Sequence, residues 1–247
     1  MSTQTADRHS TARPATMKAR HCCANNPMKY VDPTGCEFDP TQYDKYVKPM
    51  IADIEKKISQ RTAMRDKYEN GSAEYERLNG HVTELGNALK EIQTLKDDKN
   101  NIYNLTFAGI DFNKDAGGTS ADAAGTLTYG GQKDGKNVIN INMRERYAGT
   151  TGTMLHEFKH AYQFCKGEVG FFVYNLMCTD GHDAMISYGQ EKSANYRGAV
   201  YSSDKTPSPI YYNLQGYRDY PSGNTSRAEA EGYARKIGMI YVTGNSK

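Results

Sequence analysis

Met154-Leu155-His156-Glu157-Phe158-Lys159-His160-Ala161-Tyr162-Gln163-Phe164 is the stretch that decides how this chain is read. It contains the spacing H-E-x-x-H. On a helix, positions four apart share a face, so His156 and His160 can grip one metal ion. Glu157 lies one step round the same turn and can act as general base toward a water that the metal activates. Met154, Leu155, Phe158, Ala161, Tyr162 and Phe164 are apolar or aromatic and would bury the helix against a core. Gly149, Thr150, Thr151, Gly152 and Thr153 precede it and supply loop and N-cap residue types.

The pattern resembles that of the zincins, in which two imidazoles hold Zn²⁺ and a third protein ligand completes the site. Downstream candidates for that ligand are Glu168, Asp180, His182, Asp183, Glu191, Glu229 and Glu231. Metzincins place a His six residues beyond the second His. Position 166 is Lys, which excludes that subclass. Gluzincins take a Glu from a second helix, and Glu191 begins such a segment. Ala194, three residues on and on roughly the same face, would let the second helix approach closely. The rival stretch Arg227-Ala228-Glu229-Ala230-Glu231-Gly232 reads more simply as acidic residues in a first helical turn, where they complement the macrodipole. His182 and Asp183 follow Gly181 and read as loop or cap residues, with His182 a possible substrate contact. Tyr196, Tyr201, Tyr211, Tyr212 and Tyr217 are phenols that can serve an oxyanion; the residues do not choose among them.

The chain has 247 residues, room for one or two domains. A hydrophobic content of 37% and a mean hydropathy of −0.79 are lean in aliphatics. The 19 Tyr must supply part of the packing. A net charge of +2 argues against a nucleic-acid groove, and so against a nuclease. No run approaches the ~20 apolar residues that span a bilayer. The first 21 residues are polar, read as a disordered tail, and lack the apolar stretch of a signal peptide. The five Cys (22, 23, 36, 165 and 178) are odd in number and show no C-x-x-C spacing, so a disulfide scaffold is not expected. Cys165 lies off the metal-binding face and reads as core.

Three- and four-residue spacing of Tyr43, Val47, Met50, Ile51, Ile54 and Ile58 predicts a helix over 41–68, with Pro49 a kink or the true start. A second helix is expected over 73–96, with a seam of Tyr75, Leu78, Val82, Leu85, Leu89 and Ile92. Together they read as a helical hairpin: scaffold packing first, with a spacer or a docking arm as the functional alternatives. Ile102–Phe107 reads as a strand. Residues 113–125 read as a loop. Thr126–Tyr129 and Val138–Met143 read as a β-hairpin turning at Asp134-Gly135. By the zincin resemblance, Val138–Met143 is the strand beside the active helix whose edge takes an extended peptide. A last helix is expected near 226–241.

Two further strings carry a resemblance. Asn25-Asn26-Pro27-Met28-Lys29-Tyr30-Val31-Asp32-Pro33-Thr34-Gly35 resembles the end of an RHS-repeat-associated core, a β-shell that encloses a variable C-terminal toxin. His156, Glu157, Lys159, His160, Ala161, Gln163 and Phe164, then Gly167, then Glu191, Ala194, Arg197 and Gly198, resemble metallopeptidase toxins attached to such cores. The chain departs from that pattern at Gln190, where Asp is usual, and at Asn195, where an aromatic is usual. A Met1 start inside core-like sequence fits either a detached C-terminal module or an incomplete reading frame.

The resemblance implies an α+β fold: a small mixed sheet plus the HExxH helix in a zincin-like core, preceded by the hairpin. The expected divisions are 1–35 (tail and end of the RHS-type core), 36–98 (hairpin) and 99–247 (zincin-like domain). It implies a Zn²⁺ metallopeptidase with His156, His160 and Glu191 as metal ligands and Glu157 as base. Its partners would be a protein or peptide substrate, an RHS-type carrier and a cognate immunity protein, and the module would be secreted or delivered into a target cell. The alternative is a catalytically inactive zincin-like module that acts by binding a partner protein.

Overall fold

The computed structural model describes residues 38–107, 124–174, 176, 184–185, 188–203 and 227–245. All belong to one compact unit, Thr34–Lys247. The Asn25–Gly35 string, the 113–123 part of the expected loop, Asp180, His182, Asp183, Tyr211, Tyr212 and Tyr217 lie outside the described residues.

The fold is α+β. Asp39 caps a short helix, α1 (Pro40–Gln42), by accepting from the Gln42 N–H at 3.0 Å. A π-helical turn, Tyr43–Val47, leads into α2 (Lys48–Arg65). Pro49 is the second residue of α2 and directly follows the π-helical turn. Ser72 caps α3 (Ala73–Asp97) by accepting from the Tyr75 N–H. The buried line on α3 runs through Leu78, His81, Leu85, Ala88, Ile92 and Leu95. It is displaced from the expected seam, because α3 packs on two further helices, α4 and α5 below, as well as on α2.

The first sheet has the order β1-β3-β2, from β1 (Asn101–Thr106), β2 (Gly125–Lys133) and β3 (Lys136–Met143). β2 and β3 are antiparallel and turn at Asp134-Gly135. Both turn residues have positive φ, 53° and 75°, as a type I′ turn requires. β1 pairs parallel to β3, with Asn101 opposite Asn137. β3 is therefore the central strand, and both of its edges are filled. This corrects the expectation that Val138–Met143 offers an edge to a peptide. Tyr103, Leu105, Leu127, Tyr129, Ile139, Ile141 and Met143 turn one face of the sheet to the core.

α4 (Thr151–Cys165) carries the H-E-x-x-H segment and lies against β2 and β3. Met154, Leu155, Phe158, Ala161 and Phe164 are buried. β4 (Gly170–Val173), β5 (Ala184–Met185), α5 (Tyr188–Ser202), α6 (Arg227–Lys236) and β6 (Ile240–Val242) complete the order. A second sheet, β5-β4-β6, was not foreseen. The expected helix over 226–241 stops at Lys236, because Ile240–Val242 pairs antiparallel with β4 instead.

Ion pairs bind the hairpin to the helices behind it. The Arg197 guanidinium on α5 is buried and reaches Glu84 at 2.6 Å and Glu91 at 2.8 Å, both on α3. Lys159 on α4, between the two His of the motif, reaches the other oxygen of Glu91 at 2.7 Å. Thr151 at the start of α4 donates to Asp53 on α2. Arg61 on α2 donates to the Ser203 carbonyl, just past the end of α5. Removing one partner of a buried pair strands the other. Arg197→Met should therefore lower the unfolding free energy by about 3 kcal/mol in denaturant titration. A loss below about 1 kcal/mol would mean that the network does not bind the hairpin to α5.

Candidate metal centre

His156 and His160 lie one turn apart on α4, with ring centroids 4.8 Å apart and planes nearly perpendicular. Their Nε2 atoms are 3.1 Å apart. Glu191, in the first turn of α5, completes the group: Oε1 is 3.5 Å from His156 Nε2 and Oε2 is 3.1 Å from His160 Nε2. The donor atoms of the three residues lie within 4.8 Å of one another, and the group can hold a metal ion.

The spacing fits a small tetrahedral cation. Metal–ligand bonds of about 2.0–2.1 Å give a tetrahedron edge of about 3.3 Å. The observed separations of 3.1, 3.1 and 3.5 Å bracket that value. His160 Nδ1 is 2.8 Å from Gln163 Oε1. A proton on Nδ1 donates to that oxygen and leaves the Nε2 lone pair for the metal.

Close helix crossing brings Glu191 to the two imidazoles. Ala194, three residues past Glu191 on α5, is fully buried, and its backbone hydrogen-bonds the His156 ring. Further along α5, a Cβ on Gly198 would come within 2.9 Å of the Gly152 carbonyl and 3.7 Å of His156 Cβ. Either helix with a larger residue there would push Glu191 off the His pair. Asn195 donates to Glu191 Oε1 at 3.0 Å and also hydrogen-bonds His156.

Burial and mutual charge set the protonation states of the metal-free group. Burial and the neighbouring His160 hold His156 down, to about 4, so it is neutral. Burial also opposes a charge on His160, but the hydrogen bond and charge of Glu191 outweigh it and raise the group. Glu191 resists burial and is held down, to about 2, by its hydrogen bond to His160 and the charges of both imidazoles. Glu157 is pushed up to about 7, chiefly by burial; His160 pulls it down and Glu191 pushes it up. Its carboxyl is packed against Gly125 at the start of β2, where a Cβ would fall 2.6 Å from Oε1.

The other candidates stand elsewhere. Glu168 and Glu229 are exposed, Glu231 pairs with Arg227 at 2.7 Å, and none joins the group. Among the phenols, Tyr196 is exposed and Tyr201 takes a cation–π contact from Lys57. The Cys165 thiol is half-buried and unbridged. Burial, with Asp98 adding, pushes it up to about 11, which suits a core residue. Residue reading assigned no task to Gln163, Asn195 or Gly125. The i, i+4 spacing of Glu191 and Asn195 is the one signal that foreshadows a contact.

Comparison with protein-family models, curated proteins and solved structures finds no match for the chain.

Two measurements test the site. Glu191→Gln should weaken metal binding by more than about 100-fold in chelator competition, since losing only an outer partner of a ligand costs about 10–100-fold. Unchanged affinity would remove Glu191 from the ligand set. The second concerns pH in the metal-free protein. Because Glu157 is raised in the fold from 4.5 to about 7, its contribution to stability is complete below 4.5 and is lost as pH rises through 7. Between about pH 5 and pH 8, Glu157→Gln should therefore lose about 3 kcal/mol less unfolding free energy than the parent chain. Parallel profiles would contradict the burial of this carboxyl.

Proposed function

We propose that the chain is a zinc metallopeptidase of the gluzincin type, working as the toxin module of an RHS-type protein. The observation that carries the reading is the meeting of His156, His160 and Glu191 beside a buried, raised carboxyl, Glu157. Two imidazoles and a carboxylate match the three-ligand set of catalytic zinc sites, which keep a further position for water or substrate. A zinc ion held there would supply Lewis-acid polarisation of the scissile carbonyl and of the attacking water.

The remaining chemistry belongs to the chain. Glu157 takes the proton of the attacking water as the C–O bond forms, and delivers it to the amine nitrogen as the C–N bond breaks. A base raised toward neutrality is matched to both transfers. Gly125 gives this carboxyl its place beneath the strand. Among the described residues the outer edge of β2 has no strand partner. An extended peptide added there would run past Gly125 and Glu157. The toxin setting rests on the Asn25–Gly35 string and on the match of Lys159, Gln163, Arg197 and Gly198 to the toxin pattern. The carrier, delivery into a target cell and a cognate immunity protein follow from that setting.

Glu157→Gln should keep the metal while lowering peptide cleavage by about 10²–10⁴-fold, the usual weight of a general base. Zinc content and proteome-wide cleavage, measured on the same preparations, decide the matter. Full activity in the variant would sink the mechanism. Zinc binding with no cleavage by the parent chain would favour a binding module acting through a partner protein.

A further inference from the structure

We propose that Gly125 is a positioning residue for Glu157: the bare backbone of β2 at this point is the wall that fixes where the carboxyl lies. The kinetic consequence rests on the function proposed above; the packing itself does not.

Gly125 opens β2 and is paired with Met143 of β3. In this hairpin positive φ occurs at Gly131 and Gly135, not at Gly125. The backbone at 125 therefore does not call for glycine. What excludes a side chain there is Glu157. A Cβ on Gly125 would fall 2.6 Å from Oε1, 2.7 Å from Cδ and 2.8 Å from Cγ, and these are the three atoms nearest to it. A relaxed carbon contact lies at about 3.5–4.0 Å.

Neither side can yield freely. β2 is held to β3 in register from Gly125–Met143 to Tyr129–Ile139, and β3 is held in turn by β1. The Arg144 N–H donates to the Ala124 carbonyl at 3.1 Å and pins the start of the strand. The wall cannot retreat without breaking this ladder. Glu157 is 4% exposed, so its carboxyl has no solvent to turn into. A methyl group at 125 would therefore displace the carboxyl from its place beside His160 and Glu191, whose charges act on it. The same methyl points at α4 and not along the outer edge of β2, so it would leave a peptide's seat on that edge unchanged.

The test is a double-mutant cycle on the metal-free full chain, read by denaturant titration. Gly125→Ala should lower the folding equilibrium constant of the parent about tenfold or more, as overpacking does. In a Glu157→Ala background, where Cγ, Cδ and Oε1 are gone, the same change should leave the constant equal or higher. Gly130→Ala, whose Cβ would meet Asn140 and Val138 instead, should cost the same in both backgrounds. Equal losses from Gly125→Ala in the two backgrounds would overturn the proposal. So would a Gly125→Ala chain that fails to fold and is not restored by adding Glu157→Ala. With zinc bound, Gly125→Ala should keep the parent's zinc affinity and lower kcat about 10²-fold with KM within about twofold. An unchanged kcat, or a zinc Kd weakened in step with kcat, would also overturn it. A parent chain that binds no zinc or cleaves no peptide would instead fell the proposed function, and the stability cycle alone would then decide the role of Gly125.

Discussion

Three Lewis-basic groups repel one another unless a cation lies among them, and much of this structure serves to hold three such groups together. The Nε2 atoms of His156 and His160 and the carboxylate of Glu191 meet at 3.1–3.5 Å in a largely buried place. Without metal, the same demand appears as a raised His160 and a depressed Glu191, a proton standing where a cation would. The arrangement requires two helices in near backbone contact, which Gly152 and Gly198 permit. It also requires something to keep α4 and α5 together against the repulsion of their ligands.

The hairpin meets that second requirement. Lys159 and Arg197 come from the two helices that carry His156, His160 and Glu191, and both converge on Glu91 of α3. One carboxylate thus ties α4 and α5 to a common support. Arg197 also takes Glu84, seven residues and two turns earlier on the same face of α3. A buried ionic group is a poor source of net stability but a strong penalty on misplacement, since any shift leaves a charge unpaired in low dielectric. For a site that needs ångström accuracy, that penalty is the useful property. The hairpin is therefore joined to the two helices that carry the candidate metal site, whatever else it contacts.

Much of this was legible from residues. The H-E-x-x-H spacing placed His156 and His160 on one face, because helical geometry is local. Asp134-Gly135 announced its turn for the same reason, as did the alternation of Ile139, Ile141 and Met143. Glu191 was reachable by resemblance, and Ala194 by its size. What escaped were matters of partnership at long range. β3 is central rather than an edge because β1 returns to it in parallel, and no residue within β3 encodes that. The buried line on α3 moved to His81, Ala88 and Leu95 because three helices share that face. β6 was read as helix, since Ile240–Val242 becomes a strand only where β4 offers an edge. Asn195 looked like a departure from a pattern, yet it steadies Glu191.

The ionic network also bears on the order of events at the ribosome. Glu91 emerges 68 residues before Lys159 and 106 before Arg197. β1 likewise waits 36 residues for its register partner on β3. The segment from α3 to β1 therefore leaves the tunnel with its carboxylates in water and one sheet edge unmatched. Contacts of such long separation are closed late, against loop entropy. Glu191 arrives on the same helix as Arg197, so a growing chain holds the two histidines before the candidate site is complete. Assembly of the site and completion of the fold around Glu91 thus fall together, once α5 has been made.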